Sequence, residues 1–433
     1  MGLRSIVKKV VPRGALRKIK PAGHYAEAVL LNARYGFPSK GLKVIGVTGT
    51  NGKTTTCFLI HKMLVDAGYK VGLITTVAYG VGDDIKPQLT HMTTPTVPVL
   101  LNRIKKMRAQ GVEWLVLETT SHALDQHRVW GIPYIMAVFT NLTHEHISYH
   151  GSFEHYRAAK RKLFEMTNRN RAGLRLGIVN ADDRWANVFA SAVKKSLSYG
   201  IKDGDARAKD IKLGASGVKY SVTLGGTTYH ISCRLPGTFN VYNSLAAVCV
   251  GHALGLSQKQ VEQGIAALEG VEGRMTRIDE GQPFDVIVDY AHTPDSFEQL
   301  FADIKPVVKG KLIVLFGSLG GGDKGKRPLQ GELAGRFANE LIICEEDDRA
   351  EDPAVIMGDI AKGARKAGKV DDKDLFLIHD RTKAMQFAVS RAKKGDVVLF
   401  LGKGHEKTIE HNDGTQPWDE IATARSVLAK RTR

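Results

Sequence analysis

The residues Thr48-Gly49-Thr50-Asn51-Gly52-Lys53-Thr54-Thr55 gather glycine, hydroxyl and lysine side chains in one short stretch. Small residues let backbone N–H groups close around phosphate oxygens, and a helix that follows adds its positive end. Lys53 can then reach the β- and γ-phosphates of a nucleotide, and Thr54 can ligate Mg²⁺. The general phosphate-loop pattern has a glycine five positions before Gly52, where this chain has Val47. The apolar run Val44–Val47 before the loop and a helical pattern over 54–67 after it favour a nucleotide loop over a chance turn.

Glu118 and His146 each stand at or just past the end of an apolar run, in 114–118 and 134–140. Ligands of open α/β sheets bind at such strand ends. A lone strand-end Glu or His is ordinarily just hydrogen-bonded. Beside a phosphate loop, a carboxylate, an imidazole and the Thr54 hydroxyl could together hold Mg²⁺. In the expected helix 153–165, Lys160 shares helical spacing with Phe153, Tyr156, Leu163 and Phe164. A lysine on an apolar face has a lowered pKa and needs an anionic partner or a modification, unless its amine reaches water past a buried stem.

The elements that must position these groups alternate strand and helix from Lys43 onward. Strands are expected at 44–47, 71–75, 114–118, 134–140 and 176–180, and continuous apolar strands between helices imply a parallel sheet covered on both faces. Short alternating runs over 205–235, with a Gly225-Gly226 turn, suggest a small antiparallel addition. Helices are expected at 241–254 and 258–268. The charged, Gly-containing stretch 272–282 reads as a linker. A second α/β unit of Rossmann-like type follows, with strands at 284–288, 312–316, 340–344, 375–378 and 397–401. The expected organisation is a short basic segment (1–42), an ATP-binding domain (43–276) and a C-terminal domain (277–433).

The 433 residues carry 62 Lys and Arg against 45 Asp and Glu, a formal charge of +17. Ten of those cations and a single acid, Glu27, lie in 1–43. Such an excess attracts nucleic acid, anionic membranes or anionic small molecules. A nucleic-acid-binding ATPase is one reading of it, but no zinc finger or aromatic-basic RNA signature accompanies it, and no nucleic-acid partner is expected. Leu3, Ile6, Val7, Val10 and Val11 keep helical spacing opposite Arg4, Lys8 and Lys9, so residues 3–11 could lie on a membrane surface or pack on the protein itself. No apolar run is long enough to span a bilayer, and no secretion signal precedes the core. The four cysteines show no metal or redox spacing and read as free thiols of a reducing cytosol. A cytoplasmic monomer is the expectation, at the inner membrane face if residues 3–11 bind lipid.

The form Thr-Gly-Thr-Asn-Gly-Lys-Thr-Thr resembles the phosphate loop of the Mur ligases of cell-wall synthesis. Other blocks extend the likeness in family order: Glu118-Thr119-Thr120-Ser121-His122, Asn141-Leu142-Thr143-His144-Glu145-His146, Phe239-Asn240-Val241-Tyr242-Asn243, Gly273-Arg274-Met275, Asp289-Tyr290-Ala291-His292-Thr293-Pro294-Asp295, Asp323-Lys324-Gly325-Lys326-Arg327-Pro328 and Gly402-Lys403-Gly404-His405-Glu406. The series is most similar to the branch that adds the third residue to UDP-N-acetylmuramoyl-dipeptide.

That resemblance implies an ATP- and Mg²⁺-dependent ligase. The γ-phosphoryl group passes to a carboxylate, and an amine attacks the resulting acyl phosphate to form an amide. By the same resemblance Lys53, Glu118, His146 and Lys160 are catalytic, with Thr54, Glu118, His146 and a carbamylated Lys160 as metal ligands. Gly49, Thr50, Asn51, Gly52, Lys53, Thr54, Thr55, Asn240, Asn243, Arg274, Asp289 and Lys326 bind ATP. For Asn240 and Asn243 the plainer alternative is capping of a helix. Thr93, Thr94, Ser121 and Arg128 correspond to contacts with a muramoyl-peptide acceptor, and His292 lies at the inter-domain seam on the substrate side.

For the incoming amino acid, Glu346-Asp347-Asp348-Arg349 stands where relatives using diaminopimelate have Asp-Asn-Pro-Arg. Arg349 could pair with a carboxylate, while Gly402 and Glu406 suit a distal ammonium; a diamino acid is expected. The family's enzyme carries an N-terminal domain of about a hundred residues that grips the uridine nucleotide. Only 42 residues precede the core here, which opens a lipid-linked or other non-UDP acceptor, or a ligase of folylpolyglutamate or cyanophycin type, as alternatives.

Overall fold

The computed structural model describes residues 13–89, 92–214 and 216–431. The amphipathic stretch 3–11 lies outside the described residues.

Strands β1 (Lys43–Thr48), β2 (Val71–Ile74), β3 (Ala78–Val81), β4 (Asp84–Pro87), β5 (Trp114–Glu118), β6 (Tyr134–Phe139), β7 (Leu176–Asn180), β8 (Lys195–Gly200), β9 (Ala206–Gly214), β10 (Gly217–Leu224) and β11 (Thr227–Cys233) form one sheet. Their spatial order is β11-β10-β9-β8-β7-β6-β1-β5-β2-β3-β4. Pairing is parallel from β2 through β9 across the sheet, and antiparallel in the β9-β10-β11 and β2-β3-β4 edges. The antiparallel addition expected over 205–235 is present as β9–β11.

Each central strand serves two cores. Ile45, Val47, Trp114 and Val116 face a cluster with the helices Lys53–Asp66, Thr238–Ala253 and Gln258–Ala266. Val44, Leu115 and Leu117 face a cluster with Val97–Ala109 and Phe153–Arg169. Side chains alternate across a strand, so burial on both faces demands the unbroken apolar runs seen in the sequence. The helix Arg13–Arg34 precedes the first sheet and docks through Asn32, whose amide donates to Trp130 O at 3.2 Å.

The second sheet comprises β12 (Thr276–Ile278), β13 (Asp285–Asp289), β14 (Leu312–Phe316), β15 (Glu340–Ile343), β16 (Leu375–Leu377) and β17 (Val397–Leu401), in the order β12-β13-β17-β14-β15-β16. All pairs are parallel except β12 with β13. Helices Pro294–Ile304, Lys326–Phe337 and Pro353–Lys366 cover one face, and Arg381–Arg391 with Glu420–Arg431 the other. A hairpin, β18 (Thr408–His411) with β19 (Gly414–Pro417), stands apart. The linker reading of 272–282 is corrected: Thr276–Ile278 is the edge strand of this sheet, pairing with 286–288.

No helix among the described residues is long and apolar enough to cross a membrane. All four cysteines are free and buried.

Candidate active site

Because β1 lies between β5 and β6 in space, the loops after these three strands meet at one sheet end, the position where open α/β sheets take ligands. A cavity of about 770 Å³ opens there. Thr50 through Thr55, Glu118 and His146 line it from the first sheet; Arg274, Asp289, His292, Lys326, Arg349, Gly402 and Glu406 line it from the second.

Gly52 starts the helix Lys53–Asp66 with φ +81°, a left-handed value that disfavours a side chain, and a Cβ there would overlap the Asn243 amide. Lys53 Nζ donates to Thr50 O at 2.6 Å, folding over its own loop. The Thr54 hydroxyl donates to Glu118 Oε2 at 2.9 Å, and the Thr76 N–H donates to the same oxygen at 2.9 Å. Glu118 is 1% exposed, so its carboxylate is fixed by these donors. Arg274 reaches Thr54 Oγ1 at 3.4 Å while its guanidinium stacks 4.6 Å from the Tyr290 ring.

His146 adopts left-handed backbone angles, φ 56° and ψ 23°, an uncommon conformation for a residue with a Cβ and one often found at functional sites. Its ring lies 3.6 Å from Glu145, and Glu145 is also 3.6 Å from His292 of the second unit. Burial works against the Glu145 charge, yet His146, His292 and Lys53 hold its carboxyl well below the usual range. The His122 ring lies 4.7 Å from that of His146 and 5.4 Å from that of His150; burial first, then those two rings, depress His122 to about 3, and burial first, with His146 and Lys160 acting against Asp125, depresses His150 to about 4. Among the described residues no cluster of three or more His, Cys, Asp or Glu has a metal-holding arrangement. The pair of Thr54 hydroxyl and Glu118 carboxylate nevertheless suits Mg²⁺, which takes one or two protein oxygens and leaves the rest to water and phosphates.

Lys160 is buried as its helical spacing implies, 2% exposed. It does not line the cavity: Nζ donates to Gly49 O and sits 4.6 Å from the Tyr156 ring. Burial, and then the charge of Lys53, lower its pKa far below that of a free lysine. Asn240 does not cap its helix, a correction to the capping reading. The N-cap is Gly237, and Asn240 lies inside the first turn, donating to Pro236 O at 2.7 Å and accepting from Asn243 at 2.9 Å. Asn243, Thr238, Phe239 and Tyr242 form the cavity wall at that end.

Thr93 lines the cavity, but Gly49, Thr94, Ser121 and Arg128 do not. Thr94 donates to Glu118 O at 2.9 Å, Ser121 bonds His150 at 3.0 Å, and Arg128 donates to Thr94 O at 3.0 Å and to Gln126. They brace the wall behind Glu118.

At the second sheet's end, Lys326 donates to His292 O at 3.2 Å. Asp289 accepts from the N–H groups of Met275 and Ala291, each at 2.7 Å, and burial raises its pKa. Arg349 is exposed and pairs with Glu410 at 2.8 Å. Glu406 pairs with Lys403 at 2.6 Å, and Lys403 also holds Asp347 at 2.8 Å. Glu346 is 7% exposed, and its Oε2 has no hydrogen-bond partner among the described residues. Burial raises its pKa. Gly402, at φ +102°, leaves the room that this carboxylate fills.

Glu145, Asn141, Asp295 and Glu346 were not singled out from the sequence, although all four stand inside or beside the motif blocks. The usable signal for Glu145 was a carboxylate next to a strand-end histidine.

Residues 47–251 match the Mur ligase middle domain, and 273–404 match the Mur ligase, glutamate ligase domain. A UDP-N-acetylmuramyl-tripeptide synthetase of Roseiflexus sp. is 42% identical over 97% of this chain and 84% of its own length. A UDP-N-acetylmuramoyl-L-alanyl-D-glutamate--2,6-diaminopimelate ligase of Bacillus velezensis is 40% identical over 94% of this chain and 82% of its own. A solved structure of a ligase with that latter title superimposes with a TM-score of 0.63 at 30% identity, covering 96% of this chain and 83% of that one.

Proposed function

The chain belongs to the Mur ligase family, and from that membership we propose how its cavity carries out the family's reaction. It is an ATP-dependent, ADP-forming amide ligase that adds an amino acid in peptidoglycan precursor synthesis. The observation that carries the site assignment is convergence on one cavity. Phosphate-loop residues and the Thr54–Glu118 pair face it from one sheet, and Arg274, Lys326, Glu346 and Glu406 face it from the other.

In this reading, the unit built on the first sheet and the unit built on the second act together with substrates between them. Loop N–H groups of Gly52, Lys53 and Thr54 and the Lys53 ammonium take the ATP phosphates. Thr238, Phe239, Tyr242 and Asn243 form the wall for the base. Thr54 and Glu118 would hold Mg²⁺, with His146 lining the same cavity, and the ion would offset charge on the phosphoryl oxygens. Lys53 neutralises the leaving ADP oxygens, and Arg274 and Lys326 bring further positive charge from the second unit. The acceptor carboxylate attacks the γ-phosphorus and ADP leaves. The amine then attacks the acyl carbon, and inorganic phosphate departs. Lys160 enters as a carbamate: burial favours the neutral amine that reacts with CO₂.

The acceptor is a muramoyl-peptide carboxylate entering past Thr93 and Thr76, with Ser121, Thr94 and Arg128 supporting that wall. The incoming amino acid is a diamino acid. Its ammonium faces Glu346 and Glu406, and Arg349 is available to a carboxylate once it leaves Glu410. The cytoplasm is the proposed site of action.

The test is phosphate release with ATP and Mg²⁺, across UDP-linked and lipid-linked muramoyl peptides crossed with lysine, diaminopimelate and alanine. Turnover with a UDP-linked dipeptide and a diamino acid is expected. Turnover only with a lipid-linked acceptor would move the acceptor class, and turnover with none would sink the proposed substrates.

A further inference from the structure

The helix Pro294–Ile304 of the second unit carries Asp295, Gln299 and Asp303 at four-residue intervals, on one face. Three donors converge on Asp295 Oδ2: Asn51 Nδ2 at 2.7 Å, Thr143 Oγ1 at 3.2 Å and Gln299 Nε2 at 3.2 Å. Two turns on, Asp303 Oδ2 accepts from the Thr238 N–H at 2.7 Å, serving the start of a helix whose N-cap, Gly237, has no side chain to do so. The helix therefore spans the cavity from the phosphate loop to the opposite wall, and Gln299 and Asp303 line it on the way.

Asn51 sits in the middle of the loop. Its N–H donates to Asn141 Oδ1 at 2.9 Å, and its carbonyl accepts from Thr140 Oγ1 at 2.6 Å and Asn141 Nδ2 at 3.1 Å. Its main chain is thus held by the end of β6, while its side-chain amide reaches across to the second unit. A carboxylate this near a polyanion site opposes nucleotide binding; burial, against the Thr143 and Asn51 hydrogen bonds, raises its pKa. Its placement does not serve ATP affinity. What it does accomplish is a contact that exists only while the two units are together.

We propose that Asp295 is a positioning residue that ties the phosphate loop, through Asn51 and Thr143, to the second unit, so that phosphoryl transfer occurs with the cleft shut and the acyl phosphate meets the amine before water. The idea rests on the acyl-phosphate reading above. Attack by amine gives amide and phosphate; attack by water returns the carboxylate and gives phosphate. Phosphate released per amide formed therefore reads the partition directly.

The experiment uses the full chain as wild type, Asp295→Ala and Asp295→Asn, the last keeping an acceptor oxygen without the charge. With a UDP-linked muramoyl dipeptide, ATP, Mg²⁺ and lysine or diaminopimelate, wild type and Asp295→Asn should release close to one phosphate per amide. In Asp295→Ala that ratio should rise several-fold, with amide formation down roughly tenfold, the scale of losing one buried hydrogen-bond acceptor. Equal falls in phosphate and amide, or an Asn variant that behaves like Ala, overturn the proposal, because a helix-terminus charge effect would spare neither. Small-angle scattering with Mg²⁺ and a non-hydrolysable ATP analogue decides the latch without any acceptor. Wild type and Asp295→Asn should be more compact than Asp295→Ala, and equal compactness overturns it. Absence of amide from wild type would indict the acceptor reading alone.

Discussion

The Thr54 hydroxyl donates to the Glu118 carboxylate at 2.9 Å, across 64 positions of sequence. The bond joins the helix that follows the phosphate loop to the end of β5, and it places one neutral and one anionic oxygen side by side at the cavity. Glu118→Ala should lower kcat roughly a hundredfold or more, as for loss of a main electrostatic group. Removing the carboxylate also leaves the Thr76 N–H unpaired, at a cost of about 1–3 kcal/mol of stability. Phosphate release against Mg²⁺ concentration, with thermal unfolding alongside, separates the two effects; unchanged Mg²⁺ dependence would remove Glu118 from the metal site.

Lys160→Ala should abolish turnover, and short carboxylic acids at high concentration should restore part of it by replacing the carbamate. Labelled bicarbonate should give a carbamate carbon resonance in wild type that Lys160→Ala lacks. Failure of rescue together with no such resonance would leave Lys160 as a brace for the Gly49 carbonyl, the contact it already makes.

Glu346 and Glu406 can be told apart. Glu406 is engaged by Lys403 at 2.6 Å and by the Tyr290 hydroxyl at 3.3 Å, whereas Glu346 Oε2 has no hydrogen-bond partner among the described residues. Glu346→Gln should raise KM for the diamino acid about tenfold, the scale of one charge-assisted hydrogen bond, and leave KM for ATP unchanged. A KM for the diamino acid that stays at the wild-type value would place the ammonium elsewhere.

Stability should fall in mild acid through His61. This ring is 4% exposed in the helix Lys53–Asp66, and burial depresses its pKa from 6.5 to about 4. The unfolded chain then binds the proton first as pH falls below about 6.5, so stability rises with pH across that window and levels off above it. The shift corresponds to roughly 3 kcal/mol between the two limits. Thermal unfolding of wild type and His61→Met at pH 7.5 and pH 4.5 checks the sign: the wild type should lose more stability in acid than the variant.

The central strands were legible because burial on both faces forces continuous apolar runs, as in 114–118 and 397–401. The missed strands obey no such constraint. In β4 (Asp84–Pro87) three of four residues are exposed, and in β19 (Gly414–Pro417) all four are. The edge strand β12 was hidden in a charged stretch because edge residues are wetted on one side. Asn240 looked like a cap because its helix starts earlier than its apolar pattern, at a glycine that carries no cap side chain.

Sequence by itself determined the two α/β units, the phosphate loop around Lys53 and the family blocks, since each depends on local periodicity or on residues adjacent in the chain. Only the tertiary structure decided which blocks share a cavity. The order β6-β1-β5 brings Thr54 to Glu118, and contact between the units brings Asp295 to Asn51 and Glu145 to His292. The same packing turns Lys160 and Arg128 away into the supporting wall. Periodicity states that a face is buried; which loops meet above it depends on strand order and on the docking of a second unit, and neither is written in local spacing.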